Sequence, residues 1–350
     1  MRERSESVRA FTDRIYSEDR RQFACRARTA DEFAAWQKAA RPAYRALLRL
    51  ETIEQDAAGN RPVVDLSADV EDMGVYTRRQ GHIETEPGVW VHLWVLRPKH
   101  EGPCPLALMP HGHGPDDQYI GLARTEAERQ QIENEDRDVA VQAVQRGYLA
   151  IVPSTRGIGQ NARSFVVSDP NGRHDGRDCR CHAWHAIAAG RVTTGERVWD
   201  MMRILDWALD RPDVDTQRVL MMGNSGGGMV TLHTAALDER VTLAVASCSF
   251  TSYLGRDHVL RHCPCNLVPG FAAFGEYWDV AGLVAPRCLL TVNGTQDELF
   301  PAEEVKHAAA RVAEIYAVAG VPDRYRHNFG TGGHRFYKDL MWPVIGGWMR

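Results

Sequence analysis

The spacing of hydrophobic residues changes character near residue 60. Up to about residue 50 the apolar residues recur at helical intervals, and Thr29 to Glu32 has the form of a capping box at a helix start. From Val63 the pattern becomes that of strands, with alternating runs such as VWVHLWVL at 89–96. We therefore predict a helical N-terminal extension over residues 1–60 and a second unit over residues 61–350.

Within the second unit, short apolar runs alternate with helical stretches. Apolar runs typical of buried strands lie at 105–112, 148–154, 219–223, 241–248, 287–294 and 324–330. Helical patterns lie near 122–146, 196–209 and 302–318, and another begins after Ser225 and a last one at Tyr337. Because parallel strands need a helical crossover between them, this alternation predicts an α/β fold with a doubly wound, mainly parallel sheet.

Two longer segments, at about 155–195 and 250–284, interrupt this alternation. Both leave the C-terminal ends of predicted strands, which is where open α/β sheets place their ligands. We interpret them as inserts that form the walls of a pocket. His174, Asp175 and Asp178 could reach that pocket from the first insert, although such polar clusters more often hold a loop to itself.

Length and composition indicate a globular protein. The 350 residues are 44% hydrophobic, which is enough for a sizeable core. The formal net charge is −4 with no long run of either sign, so we predict neither a nucleic-acid partner nor a membrane-surface role. The charged N-terminus lacks the apolar core of a signal peptide, and no run of about 18 apolar residues occurs. A cytoplasmic location is the resulting prediction.

One serine lies among glycines at a strand-to-helix junction. Gly223-Asn224-Ser225-Gly226-Gly227 matches G-x-S-x-G, the pattern of a nucleophile elbow, in which the serine occupies a strained turn between strand and helix. Glycines two before and two after the serine remove Cβ atoms that would collide as the chain folds back. The alternative is a tight turn with no chemistry. The patterns of dinucleotide-binding and P-loop sites do not fit this stretch.

Candidate partners for the serine follow in the order serine, acid, histidine that hydrolases with a nucleophile elbow share. Asp297 lies in a loop after the next-to-last predicted strand, and His334 lies in a glycine-rich loop after the last one. We predict a Ser225-His334-Asp297 triad, because side chains at neighbouring strand ends can converge. Glu298 is the rival acid. Turn or surface positions are the alternatives for Asp297 and His334.

An oxyanion hole needs two N–H donors. One is the N–H of the residue after the nucleophile, here Gly226. The second comes from the loop after an earlier strand, and the sequence His111-Gly112-His113-Gly114 ends such a strand. We predict the backbone N–H of His113 as the second donor, and we leave the role of its imidazole open.

With these motifs in place, the chain resembles an α/β-hydrolase of the acetylxylan-esterase-like group, related to the dienelactone hydrolases. The resemblance covers roughly residues 85–345 and rests on PHGHG, TRGIG at 155–159, the helical segment 195–215, GNSGGG, HCPCN at 262–266, GTQDELFP and GGHRF. It implies an α/β-hydrolase fold, Ser225 as nucleophile with Asp297 and His334 as partners, and hydrolysis of small acyl esters.

Four further residues are candidates for the substrate pocket. His111 and Arg156 follow predicted strands, and Trp184 and Trp278 lie in the two inserts. Three of them have a structural alternative: Arg156 as a loop anchor through its several donors, and the two tryptophans as core residues beneath the inserts.

The eight cysteines include the C-x-C pairs Cys179/Cys181 and Cys263/Cys265, and His182 and His185 lie beside the first pair. We expect reduced thiols rather than a disulfide framework. Structural zinc sites usually show two to four residues between paired cysteines, whereas each pair here has one. We therefore predict no metal.

The function predicted from the sequence is a serine carboxylesterase acting on small acyl esters, with a small-molecule ester as its partner and no cofactor. An amidase or peptidase would use the same triad, and a non-catalytic binding protein could keep the same fold. A metal-dependent enzyme is a further alternative. The sequence leaves the oligomeric state open, including a homo-oligomer.

Overall fold

A 10-stranded sheet forms the centre of the protein. The computed structural model describes residues 8–159, 178–255 and 262–349. Parts of both predicted inserts, including His174 and Asp175, therefore lie outside the described residues. The strands are β1 Val63–Leu66, β2 Glu71–Asp72, β3 Tyr76–Glu86, β4 Val89–Pro98, β5 Cys104–Leu108, β6 Leu149–Pro153, β7 Val214–Asn224, β8 Leu243–Ser247, β9 Cys288–Gly294 and β10 Tyr325–Gly330.

The sheet has the order β1-β3-β4-β6-β5-β7-β8-β9-β10, with β2 paired to β3. From β6 to β10 every neighbouring pair is parallel, whereas β1 to β4 and the β4–β6 pair are antiparallel. Parallel pairing places the C-terminal ends of β5, β7, β8, β9 and β10 along one edge. That edge carries the loops in which the sequence predicts the site, and the predicted mainly parallel α/β architecture is confirmed.

Helices cover both faces of the sheet. They are α1 Val8–Ile15, α2 Ala30–Leu47, α3 Leu50–Asp56, α4 Glu126–Asn134, α5 Val139–Val144, α6 Asp178–Ala188, α7 Thr193–Leu209, α8 Gly226–Leu237, α9 Phe271–Phe274, α10 Tyr277–Gly282, α11 Ala302–Val318 and α12 Lys338–Trp348. Along β7, Val219 and Met221 belong to one buried cluster while Leu220 and Met222 belong to the other. Successive side chains of a strand point to opposite faces, so the sheet has a hydrophobic core on each side.

The prediction of a single helix near 122–146 is wrong, because this segment forms two helices. Thr125 caps α4 through a capping box with Glu128. Asp136, between α4 and α5, has a φ of 55°, a left-handed conformation that an α-helix cannot continue through. The amphipathic pattern persists across the break, so periodicity alone did not indicate it.

The N-terminal helices pack against the α8 side of the sheet. The Tyr44 hydroxyl on α2 lies 2.5 Å from Nδ1 of His233 on α8. Burial lowers the pKa of His233 to about 3, so its imidazole is neutral and accepts this hydrogen bond. The Arg41 guanidinium donates to the carbonyls of Ala236 and Leu283. These contacts join α2 to α8, the helix that follows Ser225, and to the residue after α10.

Candidate active site

Ser225 lies at the turn between β7 and α8, in a backbone conformation that few non-glycine residues adopt. Its φ is 57° and its ψ is −124°. The Ser225 N–H donates to the Ser247 carbonyl of β8 at 2.9 Å, and the Asn224 N–H donates to the Tyr119 hydroxyl at 3.2 Å. Such strain persists only where the surrounding structure holds it, and here the neighbouring strand and Tyr119 do so.

The flanking glycines are sterically required. A Cβ on Gly223 would lie 2.4 Å from the Gly227 carbonyl carbon, and a Cβ on Gly227 would lie 2.1 Å from the Pro110 carbonyl oxygen. Both distances are far below van der Waals contact with backbone atoms that cannot move aside. The steric reason predicted for the G-x-S-x-G pattern is confirmed.

Asp297 and His334 meet at the same edge of the sheet. Nδ1 of His334 lies 2.8 Å from Oδ2 of Asp297, whose side chain is fully buried. The Leu299 N–H donates to the other carboxylate oxygen at 3.0 Å, and the Phe300 ring stacks on the imidazole at 5.7 Å. A carboxylate accepts from Nδ1–H, so Nε2 becomes the basic nitrogen of His334. The rival acid, Glu298, has an exposed side chain.

Ser225 and His334 line one cavity of about 360 Å³. Its walls come from the 111–115 loop after β5, the elbow, the loop that follows Asp297, and the second insert through His262 and Cys263. A cavity of this size suits a small molecule. The structure thus brings the predicted nucleophile and the Asp297-bound histidine to one concave site.

The loop after β5 lies against the elbow. A Cβ on Gly112 would lie 3.0 Å from the Gly226 nitrogen, so the two backbones are in contact. In the described part of the chain, neither the Gly226 N–H nor the His113 N–H donates a hydrogen bond. Gly112 and His113 line the cavity, and Gly226 directly follows the lining residue Ser225, so both amides are available as donors next to the nucleophile.

His111, which the sequence predicted for the substrate pocket, lines the cavity and also holds this loop in place. Its ring is buried, Nε2 accepts from the Thr155 N–H at 2.9 Å, and Nδ1 lies 2.8 Å from the Gly112 carbonyl oxygen. Burial lowers the pKa of His111, which keeps the ring neutral and able to accept at Nε2. Both ring nitrogens are therefore used within the protein, although the residue borders the cavity.

Arg156 is a buried structural residue and does not line the cavity described above, so its predicted pocket role is corrected. Its guanidinium donates to Asp200, with Nε 2.9 Å from Oδ2, and to Glu86, with Nη1 2.6 Å from Oε1. The side chains of all three residues are less than a tenth exposed. Arg156 thereby fixes the start of the first insert to β3 and α7.

Replacing Arg156 with methionine should destabilise the fold by about 3–5 kcal/mol, because the buried Asp200 carboxylate would lose its counter-charge and Glu86 would keep only Arg191. Urea unfolding monitored by circular dichroism measures the change. Arg129→Met, which removes two ion pairs on the exposed surface of α4, is the control and should change the unfolding free energy by less than about 1 kcal/mol. Equal stability of the two variants would contradict the assignment.

The two tryptophans predicted for the pocket also lie elsewhere. Trp184 on α6 is 56% exposed. Trp278 on α10 is buried, with its ring edge-on to His307 at 5.3 Å and the Arg21 guanidinium over it at 5.5 Å. Neither borders the described cavity. Both tryptophans were predicted to line the pocket because they lie in the inserts. The orientation of α6 and α10 decides where each ring points.

Cys248 lies near the site and was not predicted from the sequence. It follows β8 with a φ of 41°, and its thiol donates to the Arg335 carbonyl at 3.2 Å. Its Sγ lies within 4.8 Å of ligand atoms of Asp297 and His334. The thiol thus ties the histidine-bearing loop to the strand beside the nucleophile. Its position directly after an apolar strand was the available signal.

The two C-x-C pairs differ in their surroundings, since both cysteines of the second pair but only Cys179 of the first belong to one cluster. All eight cysteines are free thiols, as predicted. Cys179 from the first pair lies with both cysteines of the second pair and with the His113 imidazole, and their ligand atoms are all within 4.8 Å of one another. His182 instead bonds Glu196 at 2.5 Å. Residues far apart in sequence therefore form a metal-ligand type of cluster that the spacing did not indicate.

Among the helices of the described residues, none is both long and apolar enough to span a bilayer.

Known proteins resemble this chain in fold and, over part of its length, in sequence. YtaP of Bacillus subtilis (strain 168), provisionally named a hydrolase, is 29% identical over 253 residues, which are 69% of this chain and 77% of YtaP. A methylesterase structure superimposes with a TM-score of 0.68 at 20% identity, covering 97% of this chain and 67% of that one. A glucuronoyl esterase from Solibacter usitatus gives 0.63 at 15% identity, covering 89% and 92%. These structures confirm the α/β-hydrolase fold.

The sequence model of one hydrolase family, described as X-Pro dipeptidyl-peptidase (S15 family), matches residues 87–277. This span includes the loop after β5, the elbow, the whole of the first predicted insert and most of the second. The match extends over more than half of the 350 residues. The chain therefore belongs to the X-Pro dipeptidyl-peptidase (S15) family, and it is a hydrolase with the α/β-hydrolase fold.

Proposed function

We propose that this protein is a serine carboxylesterase that hydrolyses small acyl esters through Ser225, His334 and Asp297. The observation that carries the proposal is the 2.8 Å contact between His334 Nδ1 and Asp297 Oδ2, beside a cavity that His334 and Ser225 both line. A strained serine, an oriented imidazole and a buried carboxylate at one cavity are the parts that acyl transfer requires.

In the proposed reaction, His334 Nε2 takes the Ser225 hydroxyl proton as Oγ bonds to the ester carbonyl carbon. The π pair moves to the carbonyl oxygen, and Asp297 stabilises the imidazolium. When the tetrahedral intermediate collapses, the bond to the alkoxide breaks and the imidazolium returns its proton to that leaving group. Water then attacks the acyl-enzyme with the same base, releasing the carboxylic acid and restoring the Ser225 hydroxyl.

The developing oxyanion would be held by the Gly226 and His113 amides. Gly226 begins α8, and its N–H belongs to the helix N-terminus, where the helix dipole favours negative charge. The close approach of Gly112 to the Gly226 nitrogen puts the next residue of the loop, His113, beside the same position. Donors that are already oriented toward the reacting oxygen stabilise a transition-state charge more strongly than water does.

The names of the structural neighbours support ester chemistry. A protein of Bacteroides fragilis NCTC 9343, provisionally described as an acetyl xylan esterase, superimposes with a TM-score of 0.71 at 18% identity, covering 97% of this chain and 84% of its own. Together with the methylesterase and the glucuronoyl esterase, its description associates this fold with esterases. The cavity of about 360 Å³ agrees with a small acyl or alcohol group.

The family description favours a second candidate, a dipeptidyl-peptidase that cleaves after proline. Such an enzyme must bind the free α-ammonium group of its substrate, and a carboxylate at the site would serve that purpose. Among the lining residues that the structure describes, no side chain is a carboxylate, and the formally charged ones are Arg137 and Arg180. This electrostatic character favours a neutral or anionic substrate, so we place the esterase first.

The two candidates are separated by comparing kcat/KM for p-nitrophenyl acetate with that for alanyl-prolyl p-nitroanilide. We expect turnover of the ester and at least about 100-fold lower kcat/KM for the anilide, since a pocket without an ammonium partner forgoes a charge-assisted contact. Both products absorb at visible wavelengths and are followed directly. Preferred cleavage of the anilide would overturn the esterase assignment and support the peptidase.

A further inference from the structure

A cluster of three cysteines and one histidine lies beside the candidate active site. It consists of His113, Cys179, Cys263 and Cys265, and we refer to it as the Cys3His cluster. One ligand atom from each residue lies within 4.8 Å of all the others. Three separate segments contribute: the loop after β5, the first turn of α6, and the second insert just before α9. None of the triad side chains belongs to the cluster.

The distances within the cluster are those of ligands around a zinc ion. In a tetrahedral site with Zn–S bonds of about 2.3 Å and Zn–N bonds of about 2.0–2.1 Å, two sulfurs lie about 3.8 Å apart and a sulfur and a nitrogen about 3.6 Å apart. The Sγ atoms of Cys179 and Cys263 are 3.7 Å apart, and Cys265 Sγ is 3.4 Å from His113 Nε2. A disulfide would need sulfurs at about 2.05 Å.

A buried positive charge next to the cluster favours thiolate sulfur. Arg197 on α7 is 1% exposed, and its guanidinium donates to Cys265 Sγ at 3.4 Å. Its other hydrogen-bond partners in the described part of the chain are the carbonyls of Arg156 and Cys265 and the side chain of Asn266, none of them a carboxylate. Its Nη2 atom has no hydrogen-bond partner among the residues that the structure describes. A buried guanidinium requires a nearby negative charge, which a metal-bound thiolate provides.

We propose that His113, Cys179, Cys263 and Cys265 bind a structural zinc ion. Four protein ligands of this type leave no open position for substrate or water, which is the arrangement of structural rather than catalytic zinc. On binding, the cysteine ligands that are still protonated release their protons to solvent, and His113 donates the Nε2 lone pair. The complex of Zn²⁺ with three thiolates carries a charge of −1, and Arg197 balances it.

The four ligands come from segments that surround the candidate active site. His113 belongs to the loop whose amide we assign to the oxyanion hole, while Cys179 and Cys263 belong to the two inserts that wall the cavity. Zinc would therefore hold the oxyanion loop and both walls in one arrangement. His113 acts here as a positioning residue through its imidazole, separately from its backbone N–H. The proposal does not depend on the substrate class of the enzyme.

Metal analysis of the full-length protein tests the site directly. We expect about one zinc per chain by inductively coupled plasma mass spectrometry after purification without chelators. After exchange of the metal for Co²⁺, the protein should show thiolate-to-cobalt charge-transfer absorption in the near ultraviolet and the visible d–d bands of a tetrahedral site. Protein that stays free of zinc even after incubation with zinc salt under reducing conditions would overturn the proposal, as would a Cys179–Cys263 disulfide found by mass spectrometry.

Matched variants assign the ligands. Cys179→Ser should retain roughly a tenth or less of the wild-type zinc, whereas Cys181→Ser, two residues along the same helix, should retain all of it. His113→Ala should weaken zinc retention and lower kcat for esters with smaller change in KM. Cys181→Ser should leave kcat unchanged. Equal zinc loss in both cysteine variants, or in neither, would contradict the ligand assignment.

Two further measurements separate loss of zinc from misfolding and from loss of esterase activity. Circular dichroism shows whether Cys179→Ser is folded; if it is not, the Co²⁺ spectrum of the wild-type protein decides, because three-thiolate charge-transfer intensity does not require a variant. Ser225→Ala should bind zinc as fully as the wild type while losing esterase activity. Zinc binding without esterase activity in the wild type would refute the proposed function alone, and activity without zinc would refute this proposal alone.

Discussion

Ser225→Ala should lower kcat/KM for p-nitrophenyl acetate by on the order of 10⁴-fold or more, because the variant has no atom that can form the acyl-enzyme. The loss should appear in kcat, with KM little changed, since a single hydroxyl contributes little to binding a small ester. Steady-state kinetics measure both constants. A fluorophosphonate probe that reacts with activated serines should label the wild type and not the variant.

Ser67→Ala is the control for this experiment. Ser67 follows β1 at the antiparallel end of the sheet, where its hydroxyl accepts from the Asp69 N–H. That variant should keep wild-type kinetics and probe labelling. If Ser225→Ala hydrolyses the ester within about tenfold of the wild-type rate, the nucleophile lies elsewhere and the proposed mechanism fails.

Asp297→Asn should lower kcat by on the order of 10⁴-fold while leaving the fold intact. The carboxylate is buried and accepts from His334 Nδ1, which keeps the basic lone pair on Nε2. An amide NH₂ at the same position would donate to Nδ1 and move the ring proton to Nε2, so the imidazole could no longer accept the serine proton. Steady-state kinetics at neutral pH measure the loss, and circular dichroism checks the fold.

Glu298→Gln is the matched control, since it makes the same chemical change one residue along the loop. Its side chain is exposed, so we expect kcat within about twofold of the wild type. If Glu298→Gln loses activity while Asp297→Asn retains it, the acid of the triad has been assigned to the wrong neighbour. Similar losses in both variants would indicate that loop structure rather than the carboxylate is responsible.

Much of the fold was predictable because strands and helices leave local signals. The buried runs at 148–154 and 241–248 correspond to β6 and β8, and the helical pattern at 302–318 corresponds to α11. The break between α4 and α5 was missed because it depends on the backbone angle of one residue, Asp136. A hydrophobic pattern reports which side of a segment is buried and carries little information about such an angle.

Parts of the candidate site were also predictable from local sequence, whereas the roles of its residues were not. The steric need for Gly223 and Gly227 follows from a short motif, and the structure bears it out. The proximity of Asp297 to His334 was predicted from their positions at neighbouring strand ends. The catalytic roles of Ser225, Asp297 and His334 stay predictions for the experiments above.

The pocket residues were predicted less well, for an identifiable reason. Arg156 and Trp278 lie in segments near the sheet edge, yet their side chains point into a buried ion network and a helix interface. Which way a side chain points from an insert depends on the packing of helices such as α7 and α10. The hydrophobic pattern of the insert itself does not indicate how these helices pack.

Local sequence was sufficient for the order of strands and helices along the chain, the elbow motif and the loops that carry the acid and the histidine, since each depends on residues within a few positions of one another. Tertiary structure alone decided that His111 binds Thr155, that Arg156 neutralises Asp200 and Glu86, and that Cys179 meets Cys263, Cys265 and His113. These contacts join segments that are distant along the chain, and only the packing of the whole chain around the sheet sets their geometry.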